Sequence, residues 1–414
     1  MSRRRGRVGA RGVAASAVVT LALLSGVASE VRARPARIGQ HLRVSWAVRA
    51  SAVWPMRAGD VSRRCRSDAR APAAAPVLAW EVALGVRQPR PPVIGADGTL
   101  YVAGAGGVVA VAPEGRVRWR LAVGDADGAP VVLPSGDVIV AVDDGELLRI
   151  SADGRVRARA SVGVDAGELL ALPDDTLVLG AADRTLRFLD ASLGQARPPI
   201  DTGEEVSTAL AAFAGGGFVA ATRRRVLVWR PGAEIEEVSF VTPLVSAPAV
   251  TDEGDVWVAT AEGVLRLGSD GRVRARSTHP GLYVSYARTA SRNLALAVGR
   301  DGAVRVPAVA VGVRSGPLVL GAVRQQFFLL AVGPTGAERW RAPLAGARLG
   351  EVALDSEDTA IAVSDDGVLW AIGADGSVRW STTIVQNADA ATPVLGADST
   401  IYMATVSGFL RAFR

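Results

Sequence analysis

Lysine is absent from the 414 residues, cysteine occurs once (Cys65) and histidine twice (His41 and His279). A single cysteine excludes an intrachain disulfide framework, a multi-cysteine zinc cluster and a cysteine-ligated iron–sulfur site. Two histidines so far apart leave little for imidazole-based proton transfer or metal binding. Long apolar runs are missing too. The longest uncharged stretch, Gly12 to Ser29, has 18 residues and is slightly short of the ~20 that a spanning helix needs.

What is present describes a folded chain, since 49% hydrophobic and 21% charged residues can bury large cores. The formal charge of +6 is unevenly spread. Residues 1–77 carry 15 arginines against Glu30, Asp60 and Asp68, which leaves 32 arginines against 38 acidic residues in the body. A nucleic-acid-binding body would concentrate positive charge, so no nucleic-acid partner is expected.

The N-terminus reads as an export signal. Arg3, Arg4, Arg5, Arg7 and Arg11 precede the uncharged run, and Gly26-Val27-Ala28 offers small residues to a signal peptidase. Residues 1–33 are expected to be a signal peptide cleaved near Ala28, which places the protein in the periplasm or outside the cell; an uncleaved N-terminal anchor is the alternative. Residues 34–77, rich in Arg, Ala, Ser and Pro, read as a basic flexible linker, with Cys65 as a free thiol within it. Ser62-Arg63-Arg64 before Cys65 does not match a lipidation signal.

From residue 78 onward one unit recurs: four short apolar strands separated by Gly/Asp turns. Residues 107–124, 329–346 and 368–385 show it best. In each, alanine is followed by glycine five residues on and tryptophan nine on: Ala110, Gly115, Trp119; Ala331, Gly336, Trp340; Ala371, Gly376, Trp380. Trp80 stands 39 residues before Trp119. A period near 40 with four strands per unit predicts the blades of a β-propeller, and eight Asp-Gly pairs supply tight turns. Arginines alternate along the fourth strands (Arg116, Arg118, Arg120; Arg155, Arg157, Arg159), as expected of an edge protected from further pairing. Third strands begin near 108, 146, 185, 225, 263, 328, 368 and 408. The expectation is all-β with eight blades over 78–414, seven or nine being alternatives because 282–328 holds about 27 extra residues as an insertion or a degenerate ninth unit. Residues 78–84 look like a fourth strand without its first three, and the chain ends on a third strand without a fourth, so the two ends should complete one blade. Trp80, Trp119, Trp340 and Trp380 should dock neighbouring blades.

The Ala-x4-Gly-x3-Trp spacing resembles the tryptophan-docking repeat of the pyrroloquinoline-quinone-like propeller family, over residues 78–414. Within it, length, export signal and closure are similar to the non-catalytic scaffold branch of outer-membrane β-barrel assembly. The resemblance also implies enzymatic relatives that hold a quinone and Ca²⁺ on the propeller axis, often beside a vicinal cysteine pair that this chain cannot form. The reading is therefore an exported, monomeric, non-catalytic scaffold for envelope proteins, with no catalytic, cofactor or metal residue. A quinone-dependent dehydrogenase and a carbohydrate-binding or hydrolytic propeller are the alternatives. Candidate partner-binding residues lie on loops expected to share one face: Asp143, Asp144, Arg223, Arg224, Arg225, Asp365 and Asp366, with Asp183-Arg184, Glu262, Arg300-Asp301 and Arg324-Gln325-Gln326 beside them.

Overall fold

The computed structural model describes residues 32–35 and 53–414, apart from 173, 207–208, 231–234, 279–281, 285–293, 317–318, 345–347 and 385–391. The expected export signal and His279 lie outside the described residues. The period-two apolar segments form strands, and these assemble into eight antiparallel sheets of four principal strands each. Blade 1 runs Val93–Ile94, Leu100–Gly104, Gly107–Val111 and Val117–Ala122 from the axis outward. Blades 2 to 7 repeat that order, and the only helical element among the described residues is one 3-10 turn, Asp143–Gly145. The eight-blade reading holds, and the termini close the ring as expected. Leu78–Ala83 pairs antiparallel with Phe409–Phe413, for example Val82 with Leu410, to complete blade 8.

The extra residues of 282–328 are an insertion, not a ninth blade. They lengthen the second and third strands of blade 6 to Val304–Gly316 and Val319–Val332, against five residues each in blade 1. About eight added residues per strand carry this hairpin roughly 25 Å past its neighbours. Leu282–Val284 pairs beside it, and Arg32–Pro35 adds a fifth strand outside Glu236–Ser239 of blade 4.

Tryptophan joins adjacent blades. The indole N–H of Trp80 donates to Pro113 O at 2.9 Å, that of Trp119 to Ala152 O at 2.8 Å and that of Trp340 to Ala374 O at 2.7 Å. Each ring lies over the turn glycine of the next blade, where a Cβ on Gly115, Gly154 or Gly376 would fall 2.7–2.8 Å from a ring carbon. Those glycines have φ of 84–86°, so turn and docking both demand them. At the last seam Trp380 donates to Pro72 O at 2.8 Å.

The linker expectation fails from residue 53 onward. Trp54, Met56, Arg57, Arg63 and Cys65 are buried, because this segment runs through the centre of the ring. Cys65 is thus a core residue with its thiol pushed up by burial, not a linker thiol.

Candidate functional site

Two places on the molecule bring functional side chains together, the ring axis and the face bearing the blade-to-blade links. At the axis, six of the inner strands end with a backbone N–H that points away from its own sheet to the central segment. Residues 54–67 meet these ends in blade order. Ile94 N donates to Trp54 O (2.8 Å), Val132 N to Pro55 O (2.7 Å), Ala212 N to Val61 O (2.7 Å) and Val250 N to Ser62 O (2.9 Å). Val298 N then donates to Arg64 O (2.9 Å) and Leu354 N to Cys65 O (2.7 Å). Side chains serve the other two blades: Arg63 Nη2 donates to Leu169 O beside blade 3 (2.7 Å), and Ser67 Oγ to Leu395 O in blade 8 (3.5 Å). One circuit of chain therefore touches all eight blades.

The axial charges are paired. Arg57 is bonded to Glu168 and Glu351, and Arg63 Nη1 reaches Glu168 at 3.3 Å and Arg57 O at 2.8 Å. Glu351, 1% exposed, also accepts from Thr392 Oγ1 (3.1 Å) and Ala295 N (3.2 Å). Burial works against the Arg57 charge, but the two carboxylates outweigh it and raise its pKa further. The same pairing overcomes burial at Glu168 and holds its carboxyl below the ordinary range. Arg63 moves the other way, because burial and the Arg57 charge outweigh Glu168. Nearer the rim, Asp252 binds Arg64 and Arg66, the latter at 2.8 and 3.0 Å.

On the link face, the turns between second and third strands present the charged residues. The structure places Asp143–Asp144, Asp183–Arg184, Arg223–Arg225, Glu262 and Asp365–Asp366 there, but Arg300-Asp301 sits in a first-to-second-strand turn on the opposite face, since it follows Ala297–Val298, and Arg324-Gln325-Gln326 lies within the long strand Val319–Val332 instead of a turn. The acidic loops are largely self-satisfied. Asp143 Oδ2 accepts from Asp125 N (2.8 Å), Asp365 Oδ1 from Arg348 N (3.0 Å), and Asp366 Oδ1 from Ser364 Oγ (2.5 Å). Arg225 is also tied down, at 3.3 Å from Glu204, 3.2 Å from Glu237 and 2.9 Å from Thr202 O.

Arg223 and Arg224 differ. They are exposed and, with Arg184, Gly203, Glu204 and Glu205, line an open groove of about 520 Å³ between blades 3 and 4. Among the described residues no carboxylate pairs with Arg184, Arg223 or Arg224. Glu204 is neutralised by Arg225 and accepts from Thr222 Oγ1 at 2.7 Å, so the groove keeps an excess of positive charge. Leu244 N and Phe240 N donate to Arg223 O and Arg224 O at 2.9 and 2.8 Å, which fixes the exposed Val241 (61%) close by. Arg184 was legible in the sequence as a charged loop residue of this face, but only the ring brings it onto one groove with residues 40 positions away.

A profile of the family described as outer membrane protein assembly factor BamB matches residues 74–198 and 328–414, just over half the chain. The chain belongs to that family. The unmatched stretch between them holds blades 4 and 5 and most of blade 6, including nearly all of its long hairpin. No curated protein sequence is significantly similar. Among solved structures, BamB from Moraxella catarrhalis is similar at 15% identity and TM-score 0.58, over 82% of this chain and 98% of that one. Quinohemoprotein alcohol dehydrogenase from Comamonas testosteroni is similar at 13% identity and TM-score 0.64, over 89% and 81%. A streptogramin B lyase reaches TM-score 0.51 at 11% identity, over 82% and 98%. At these identities the likeness concerns the fold alone. The axis does not fit a quinone with a metal: residues 54–67 occupy it, and no group of three or more His, Cys, Asp or Glu side chains among the described residues is placed to hold a metal ion.

Proposed function

We propose that the protein is a non-catalytic scaffold propeller of the cell envelope that binds other proteins through its link face. The observation that carries this reading is the filled axis: the position at which quinone enzymes of this fold work is taken by the chain itself. The exposed chemistry then lies in the groove of Arg184, Arg223 and Arg224, with Val241 as an apolar neighbour. Guanidinium forks pair with carboxylates in two-pronged fashion, and a polarised face speeds encounter with an acidic partner. Glu205 in the same groove disfavours a compact dianion such as phosphate and suits an extended acidic segment, whose backbone N–H groups can donate to it. Export by the N-terminal signal would place the scaffold in the envelope, in keeping with its family. No helix among the described residues is long and apolar enough to cross a membrane.

The test is a pull-down from envelope extracts at two salt concentrations, wild type against an Arg184→Ala, Arg223→Ala, Arg224→Ala triple variant. Loss of a salt-sensitive partner in the variant supports the reading. Identical recovery refutes the groove, and robust dye reduction with pyrroloquinoline quinone, Ca²⁺ and an alcohol panel refutes the non-catalytic assignment.

A further inference from the structure

We infer that the ring axis is a peptide-binding site that the chain fills with its own residues 54–68, and that this segment binds separably from the blades. Three observations carry the inference, none of which depends on the scaffold reading. First, the contacts are those of a bound peptide loop: the segment turns on itself, Gly59 N donating to Met56 O (3.1 Å) and Cys65 N to Ala58 O (2.8 Å), and turns its remaining carbonyls to the blades. Six inner strands donate their last N–H to carbonyls of residues 54, 55, 61, 62, 64 and 65 at 2.7–2.9 Å, so main-chain bonds hold the segment to six blades at once.

Second, the segment has anchors with receiving pockets. Trp54 joins the core of blades 8 and 1, Met56 that of blades 2 to 4, and Ala58 with Cys65 that of blades 6 and 7. Arg57 closes on Glu168 and Glu351, which come from opposite sides of the ring. Glu351 stands alone as a carboxylate in the otherwise uncharged inner strand Leu349–Leu354, and among the described residues its cation is Arg57. The ligand class follows: a turn-forming peptide with an aromatic residue, then an apolar residue, then a deeply inserted arginine ahead of a glycine turn.

Third, the tie to the ring is slight. After Ser67 the chain crosses to blade 8, and Ala73, Ala74 and Ala75 are exposed just before the closing strand Leu78–Ala83. A break there would leave every blade with its four principal strands; only the added outer strand Arg32–Pro35 of blade 4 belongs to the N-terminal fragment.

The experiment uses the full chain with a protease site replacing Ala73–Ala75, folded first and then cut. We expect the N-terminal fragment to co-elute with the ring under native conditions and the melting temperature to become dependent on protein concentration. A synthetic peptide of residues 53–70 should compete with the fragment. Arg57→Ala should weaken retention about 100-fold or more, since it leaves Glu351 without its cation and Glu168 with Arg63 alone. A fragment that elutes free while the ring melts unchanged overturns the inference. If the Arg57→Ala chain does not fold, amide exchange in the cut wild type decides: Val132, Ala212, Val250, Val298 and Leu354 should be protected when the fragment is bound and lose protection when dilution releases it. Equal exchange in both states also overturns it.

Discussion

The axis and the groove between blades 3 and 4 are both built from arginines, yet they use them in opposite ways. At the axis Arg57 and Arg63 are buried, bonded to carboxylates and carbonyls, and contribute to cohesion. In the groove Arg184, Arg223 and Arg224 are exposed and, among the described residues, ion-paired with no carboxylate, although Glu204 and Glu205 line the same groove. Residue type therefore says little about role in this protein. A guanidinium whose valences are spent inside the fold cannot recognise anything else, and one whose valences are free adds little stability. The difference makes each region testable by a variant that should leave the other unmoved.

The largest effect is expected at Arg57. Replacement by alanine leaves Glu351 buried without its cation and Glu168 half served, and should cost about 3–5 kcal/mol in denaturant unfolding. A loss below about 1 kcal/mol would show that the axial cluster is not cohesive, and the contrast with the groove would collapse.

The seams between blades rank next. Gly154→Ala would bring a Cβ to 2.8 Å from the Trp119 ring at a φ of +86°, and should cost about 2–3 kcal/mol. The seam between blades 2 and 3 sharpens the point. There Ala158 takes the tryptophan position and Leu193, at φ +67°, takes the glycine position, both in one apolar cluster. The large and small partners have changed places across the seam. Leu193→Gly should therefore destabilise although it relieves a left-handed backbone, while Gly154→Ala destabilises by filling an occupied space; calorimetry on the two variants checks both signs.

That swap also shows where the sequence was informative. The ring was legible because its constraints repeat: a turn needing positive φ, a ring to cover it and an alternating outer strand recur every 39 or 40 residues, and complementary end segments revealed the closure. Residues 54–68 escaped because they obey no period. Each meets a different blade, so its apolar residues fall at 54, 56, 58, 61 and 65, a spacing that matches neither strand nor helix and passes for a linker. Glu351 inside an apolar inner strand was the one visible sign that a buried cation had to come from elsewhere. At the groove, Arg223 and Arg224 were legible as loop residues, but Arg225 was not separable from them, since only the fold brings Glu204 and Glu237 against it.

Acid should act on the axis and spare the groove. Burial alone would raise the Glu168 pKa, but Arg57 and Arg63 hold it below the usual 4.5. A carboxylate depressed in the folded state contributes stability above its unfolded pKa and loses it as pH falls through the folded value. Wild type should lose stability relative to Glu168→Gln as pH drops below about 4.5, with the two curves parallel from pH 5 to 8. A difference that is flat across the acid range would mean that Glu168 is not ionised against Arg57.

The smallest effect on stability belongs to the groove. Removing three exposed guanidinium groups that bond to nothing should change unfolding by no more than about 0.5 kcal/mol per site. Binding of a synthetic peptide carrying three glutamates in extended sequence should nevertheless weaken by about tenfold or more, with a shallower salt dependence. Vesicles of phosphatidylglycerol provide the control, since a concave groove that also holds Glu205 should favour the peptide over a flat anionic surface. Arg225→Ala separates the two uses of arginine within a single loop. It should lower stability, because Glu204, Glu237 and Thr202 lose their common donor, and it should weaken the peptide less than the triple variant does. If Arg225→Ala abolishes binding while leaving stability intact, the division between spent and free guanidinium groups is wrong for this face.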